Sequence, residues 1–228
     1  MRTLDIQNTQ NTRVRKHLFK SRATLNISMF VFGNGESRHG LDINKIKGIK
    51  IGCNAIFRDF KIDHLSCCDR RMVQEAVQSK INLSTPIYTR TDWLRYFRHD
   101  TNINVFPDLP YTERTIRPDE PFQWGSGPYA VLLGACLNDD DNHLIGFDCW
   151  GAGDGKRFIN NMYKGTKNYQ VDNYRAVGPS YWIHQIGKVI ECFPNQQFIF
   201  YNNEDWEMPD MWKHKNSCKK TLDKLHEI

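Results

Sequence analysis

An α/β domain, with a mostly parallel sheet and helices on both faces, is the fold class this sequence predicts. Three observations lead there. Short apolar runs of strand length alternate with segments of helical period, the pattern of repeated strand–helix units. The runs stop abruptly at Gly, Asn or Asp, as in "MFVFGNGES" at 29–37. The 228 residues, 39% of them apolar and 12% aromatic, suffice for one sizeable core and are not a disordered composition.

Each element has its own justification. Residues 25–32 read as a first strand because four apolar residues run into Gly33-Asn34-Gly35. "IKGIKIGC" at 46–53 is a second strand, ending at Asn54, and "HLSCC" at 64–68 a third, ending at Asp69. In "RRMVQEAVQSK" the residues Met72, Val73, Ala76 and Val77 share one helical face. "PIYTR" and "NINVF" are short strands. "WGSGPYAVLLGACL" is a buried helix with Pro128 in its first turn, where the missing N–H has no partner to lose. "HLIGFDCW" is a strand ending at Asp148. "PSYWIHQIGKVIECF" is a helix with Trp182, Ile183, Ile186, Val189 and Ile190 on its apolar side, and "QFIFY" is the last strand.

The domain proper therefore spans residues 25–212. Residues 1–24 form a polar arm with six Arg or Lys against one acid, Asp5. Such an arm is ordinarily a solvated end; its sharper use is contact with nucleic acid, a membrane surface or a partner subunit. Residues 149–178 are Gly-, Asn- and Tyr-rich and weakly patterned, as a functional loop or lid is. Residues 213–228 read as a basic tail, a short helix or frayed end.

The net charge of +5 and pI of about 8.8 are mildly basic and suit an anionic ligand. Seven cysteines with no CxxC spacing argue against a zinc knuckle. They point to a reduced, cytoplasmic protein. The first 26 residues hold no apolar core of signal-peptide length, and no apolar run approaches a membrane span.

In an open parallel sheet, ligands bind at the carboxyl ends of the strands. Those ends carry Gly33-Asn34-Gly35-Glu36-Ser37, Cys53-Asn54, Asp69-Arg70-Arg71 and Gly146-Phe147-Asp148. Asn, Asp, Ser and Gly are also the ordinary turn residues; it is their recurrence at four strand ends that suggests a site. GxGxxG fails at its third glycine, and Asn54 stands where an acidic ribose ligand would, which disfavours NAD. GxxxxGK[ST] is absent as well. What remains is a glycine turn with Asn34 and Ser37 as neutral hydrogen-bonding groups, suited to a ribose, a phosphate or a sugar. "GSGPY" at 125–129 is either a plain N-cap or an anion site at a helix N-terminus.

The order GNGxS, CN, SGxY before an apolar helix, and a strand ending in an aspartate resembles the small bacterial sialyltransferases with a GNGPS motif. It is similar also to a looser set of relatives, among them flagellin-glycosylating proteins and archaeal hydroxymethylpterin pyrophosphokinases. The resemblance runs over about residues 29–201 and is strongest at "FGNGES", "GCN" and "SGPYAVLLGACLNDDDNHLIGFD". It implies one Rossmann-like domain with a lid, binding a cytidine-monophosphate sugar as co-substrate, with no metal or other cofactor. Carried onto this chain, Gly33, Asn34, Gly35 and Ser37 would lie at the donor's phosphate and sugar. Asn54 would face the nucleotide, Asp69 the base or ribose, and Ser126 and Gly127 the donor through side chain and backbone. In the family, lid tyrosines grip the donor phosphate, and Tyr163, Tyr169 and Tyr174 are the loop's candidates for that role, without a position-by-position match.

Two departures stand out. Glu36 replaces the family's proline and would repel a phosphate unless it points away or pairs with Arg38. Pro179 stands where the family carries its catalytic histidine, which leaves His184, one helical turn on, and Asp148 as the catalytic candidates. The first expectation is a glycosyltransferase acting on an acceptor hydroxyl. A second is a pyrophosphokinase-like transferase with Mg²⁺ on Asp69, Asp148 and Asp154. A third is a non-catalytic nucleotide-binding accessory protein that has lost the base.

Overall fold

A computed structural model describes residues 28–171 and 173–227; the basic arm at 1–24 lies outside the described residues. Eight parallel strands form one sheet in the order β5-β4-β3-β2-β1-β6-β7-β8. They are β1 (Met29–Phe32), β2 (Ile49–Cys53), β3 (His64–Ser66), β4 (Ile87–Thr89), β5 (Ile103–Val105), β6 (Asn142–Ile145), β7 (Phe198–Asn202) and β8 (Ser217–Thr221). The helices are α1 (Arg70–Gln78), α2 (Thr91–Leu94), α3 (Ser126–Leu137) and α4 (Ser180–Cys192). The chain builds outward from β1 to β5, then returns to the other side of β1. The β1/β6 junction is therefore the topological switch point, where an open α/β sheet leaves a crevice.

The central strand explains the two-faced core. Met29 and Val31 enter one apolar cluster, packed with α3 and α4; Phe30 and Phe32 enter the other, packed with α1. All four are buried, so the uninterrupted apolar run is what a strand covered on both faces requires. Helix α3 lies inside, with Ser126, Pro128 and every residue from Tyr129 to Cys136 buried, which is why it is apolar all round. Helix α1 is amphipathic, burying Met72, Val73 and Ala76, and Asp69 caps it by accepting from Arg71 N–H at 2.8 Å.

Three elements differ from the sequence expectation. The strand expected to reach Asp148 ends at Ile145, because Gly146 adopts φ +74° and turns the chain out of the ladder. On α4 it is Gln185, fully buried and bonded to Pro118 O and Gln123 O, that faces inward, while Trp182 stays 37% exposed. The segment expected as a short helix or frayed end contains β8, paired in register with β7 from Phe198↔Ser217 to Asn202↔Thr221. An edge strand is held by backbone bonds, so the polar "SCKKT" needs no apolar alternation, and its lysines discourage further pairing. No helix among the described residues is long and apolar enough to cross a membrane.

Candidate functional site

Register aligns the carboxyl ends of the inner strands: Phe32 of β1 sits beside Gly52 of β2 and Ile145 of β6. The glycine turn follows at once, and its geometry explains both glycines. A Cβ on Gly33 would stand 2.3 Å from Gly146 O, and one on Gly35 2.4 Å from the Asp148 carboxyl carbon. The turn is pressed against the end of β6, and only hydrogen fits. Its amides are already used: Gly33 N–H donates to Ile145 O, Gly35 N–H to Gly146 O, Glu36 N–H to Asn160 Oδ1 and Ser37 N–H to Asp148 Oδ2. A phosphate seated on these amides would have to displace protein acceptors.

The side chains of the turn are also engaged. Asn34 is buried; its amide donates to Cys53 O (3.0 Å) and lies 3.4 Å from Tyr169 Oη, and its Oδ1 accepts from Arg38. Arg38 is 1% exposed, donating also to Gly33 O (2.8 Å), with its guanidinium against the rings of Phe60 and Tyr163. Burial pushes the Cys53 thiol up to about 12, with Arg38 acting in the opposite sense. The Ser37 hydroxyl donates to Asp148, whose carboxylate accepts from Asn202 Nδ2 as well (3.1 Å). Glu36 pairs with Lys164 rather than Arg38, so its charge is met from the 149–178 loop.

That loop has a fastened middle. Tyr163 is buried, and its hydroxyl lies 3.4 Å from Arg38. Burial pushes the Tyr163 phenol up to about 12, against the bond from Arg38. Arg58 donates to both oxygens of Glu75 (2.7 and 2.8 Å), to Thr166 Oγ1 and to Lys167 O, and Asn168 donates to Glu75. Tyr174, by contrast, is exposed.

A second group gathers at the start of α3. Ser126 Oγ donates to Asn54 Oδ1 (2.8 Å) and accepts from Cys68 N–H (2.8 Å), while Ser66 Oγ donates to Ser126 O (2.7 Å). The ends of β2 and β3 are thereby tied to the N-terminus of α3. Asn54 sits at φ +52°, a conformation asparagine tolerates better than most residues. The first-turn N–H groups of Ser126 and Gly127 have no acceptor within their own helix, so this end favours an anion. Asp69, as N-cap of α1, is committed to Arg71 rather than to this group.

His184 belongs to a third arrangement that was not legible in advance. Its Nε2 lies 2.6 Å from Asp119 Oδ1. Asp119 also accepts from the Tyr111 hydroxyl and from the N–H groups of Thr115 and Ile116. Burial pushes this carboxyl up, but the bonds from His184, Ile116 and Tyr111 outweigh it and hold it below the usual carboxylate range. An ionised carboxylate only accepts, so Nε2 is the donor in this bond, and Nδ1 is the ring nitrogen left to accept in the Nε2–H tautomer. Asp148 takes no part in this pair. The neighbouring residues bring α4 over the start of α3: Gln185 Oε1 accepts from Gly125 N–H, and a Cβ on Gly125 would stand 3.1 Å from Trp182 Nε1.

No protein-family model matches the chain, and no curated protein matches it. Among solved structures, the monofunctional α-2,3-sialyltransferase Cst-I from Campylobacter jejuni aligns over 82% of this chain and 80% of its own. The TM-score is 0.56 and the sequence identity 12%. The chain has a sialyltransferase-like fold.

Two cavities open on the carboxyl edge of this sialyltransferase-like sheet. One, of about 320 Å³, lies at the ends of β1, β6 and β7, with Ser37, Asp148, Trp150, Asn202 and Trp206 among its walls. The other, of about 470 Å³, lies at the ends of β4 and β5, walled by Thr89, Arg90, Phe106 and Tyr129. In strand order the Asn54–Ser126 group falls between them. Asp69, Asp148 and Asp154 do not converge: Asp69 caps α1, Asp148 is enclosed by Ser37 and Asn202, and Asp154 is exposed in the loop. Among the described residues no group of three or more His, Cys, Asp or Glu side chains is placed to hold a metal ion. Asp69, Asp148 and Asp154 therefore do not form one Mg²⁺ site together.

Proposed function

We propose that this chain is a glycosyltransferase-like protein that binds a nucleotide-sugar donor of the CMP-sugar type and transfers the sugar to an acceptor hydroxyl without a metal. The observation that carries the reading is the Asn54–Ser126–Cys68 group, which ties two strand ends to the N-terminus of α3 beside the switch point of a sialyltransferase-like fold. The donor phosphate would sit at the N–H groups of Ser126 and Gly127, with Asn54 toward the nucleotide. Asn34 and Ser37 shape the adjoining wall through bonds that bind the turn to β2 and β6. His184, with Nε2 held by Asp119, would accept the acceptor's proton at Nδ1 as the hydroxyl attacks the sugar carbon and the nucleotide phosphate departs.

Calorimetry with a panel of nucleotides tests it. Cytidine monophosphate should bind in the presence of a chelator and raise the melting temperature. Absence of binding to any nucleotide would sink the proposal. His184→Ala should keep donor binding and lose about 10²-fold or more in transfer, the usual contribution of a general base. Nucleotide binding with no turnover in the unaltered chain would instead leave a non-catalytic binding protein.

A further inference from the structure

The cavity of about 470 Å³ at the ends of β4 and β5 has a buried hydroxyl in its wall that nothing satisfies. Thr89 closes β4, and its carbonyl accepts from Phe106 N–H (3.1 Å), so the residue after β5 stands beside it. The side chain of Thr89 is 0% exposed, yet its Oγ1 has no hydrogen-bond partner among the described residues. A hydroxyl enclosed without a partner is costly, and a native structure that keeps one calls for an explanation.

The rest of the wall selects what could satisfy it. Phe106, Pro107, Leu109, Pro121, Phe122 and Tyr129 are apolar. The Phe106 and Tyr129 rings stack at 3.9 Å and 4°, and the Tyr129 hydroxyl is engaged by Pro121 O (3.0 Å). Arg90 is engaged too: it donates to both oxygens of Asp92 and to Phe122 O (3.0 Å), so its charge is cancelled within the wall. Thr91, Asp108 and Arg114 are exposed at the mouth. Asp108 and Arg114 carry opposite charges, so the wall as a whole is neutral. An anion entering would find Arg90 already paired, and a cation would find Asp92 so; either would lose its hydration among apolar side chains. A water needs two to four polar partners, and Thr89 Oγ1 offers one. Three aromatic walls favour a ring, through offset or edge-to-face contact. Phe122, 54% exposed, leaves an apolar ring standing in solvent at the mouth.

We propose that this cavity binds an uncharged aromatic ring bearing one hydroxyl or ether oxygen, which pairs with the Thr89 hydroxyl. Tyr129 lies three residues after Ser126 on α3, and the Pro118–Gln123 segment that roofs the cavity is bonded to Gln185, next to His184. An acceptor with an aromatic aglycone would therefore be seated here with its sugar toward the start of α3. That placement rests on the glycosyltransferase reading; the binding itself does not.

The test is calorimetry on the full chain with three ligands of one ring: naphthylmethanol, naphthoate and naphthylmethylammonium. Naphthylmethyl β-glucoside and cytidine monophosphate are titrated in parallel. The alcohol should bind and move the amide NMR signals of Thr89, Phe106 and Leu109. The carboxylate and the ammonium should each bind at least about tenfold more weakly, since neither finds a free counter-charge. Thr89→Val should weaken the alcohol about fivefold, the worth of one neutral hydrogen bond. It should leave the melting temperature unchanged or higher, because the hydroxyl it removes is unpaired. Thr89→Ser should keep the affinity. Equal affinity in Thr89→Val, or a charged ligand bound as tightly as the alcohol, would overturn the site. The glucoside should bind at least as tightly as the alcohol; its exclusion would overturn the acceptor placement. Cytidine monophosphate failing to bind while the alcohol binds would remove the donor reading alone. The alcohol failing to bind while the nucleotide does would remove the cavity site alone.

Discussion

Replacing Asp148 by alanine separates a scaffold carboxylate from a reagent. Its oxygens accept from Ser37 N–H, the Ser37 hydroxyl and Asn202 Nδ2, and the residue is 7% exposed. The variant strips an acceptor from all three donors at once. A buried donor left unpaired costs about 1–3 kcal/mol, which sets an upper bound of about 9 kcal/mol. The cavity that runs past Ser37 and Asn202 admits water to them, which brings each loss to the low end of that range and the total to about 3 kcal/mol. That is a large part of the roughly 5–15 kcal/mol that holds a domain folded. Asp148→Asn keeps one acceptor but turns an N–H toward a donor, so about 2 kcal/mol is expected. Urea unfolding followed by tryptophan fluorescence measures both. An alanine variant within about 0.5 kcal/mol of the parent, the range of an ordinary surface change, would refute the anchoring role. Transfer lost at intact stability would make Asp148 a reagent instead.

Four further outcomes are expected. Gly35→Ala drives a Cβ into the pinned Asp148 carboxylate and should cost about 1–3 kcal/mol in the same unfolding assay, as overpacking does. Ser126→Ala removes the acceptor of Cys68 N–H and the donor to Asn54; it should cost about 1–2 kcal/mol and weaken cytidine monophosphate binding. The bond from Arg58 holds Glu75 below its ordinary range despite partial burial. This contribution is complete above about pH 4.3, the unfolded glutamate value, and is lost as pH falls through the depressed folded value. Protection of the amides around 163–169 against hydrogen exchange, relative to the unstructured chain at the same pH, should therefore fall in acid, and Glu75→Gln should abolish that dependence. Among the thiols, exposed Cys218 should react first with a disulfide reagent; buried Cys53, whose thiol burial pushes up to about 12, should react only on unfolding.

Local chemistry made the strand ends legible. Phe30 and Phe32 had to be buried, and Gly33, Asn54 and Asp69 had to turn the chain. The architecture follows from that alternation. What escaped depends on contacts far apart along the chain. Gly33 and Gly35 read as a phosphate turn, whereas each faces a backbone or carboxylate from the β6 end, more than a hundred residues away. The Asp119–His184 pair joins positions 65 apart, and nothing in "RPDEPF" marks Asp119 as its partner. Gln185 is buried because Pro118 and Gln123, more than sixty residues earlier in the chain, offer carbonyls there. β8 went unseen because an edge strand depends on its neighbour's backbone rather than on its own side chains.

The fastening of residues 163–169 to Arg58, Glu75 and Arg38 changes what the 149–178 segment is mechanically. A thirty-residue cover would hinge at its two ends and swing as one flap. A segment riveted at its centre has two spans instead, and these are laced together: Ile159 N–H donates to Tyr174 O (3.0 Å) and Ala176 N–H to Arg157 O (2.8 Å). The earlier span carries Trp150, Lys156 and Asn160 along the cavity beside β6. The later one leads into the first turn of α4, four residues before His184. Each span closes a shorter loop than the whole, at lower entropic cost. Covering of the β1/β6 crevice and placement of α4's histidine are thereby coupled: a substitution in one span reaches the other through the Phe158–Arg175 pairing.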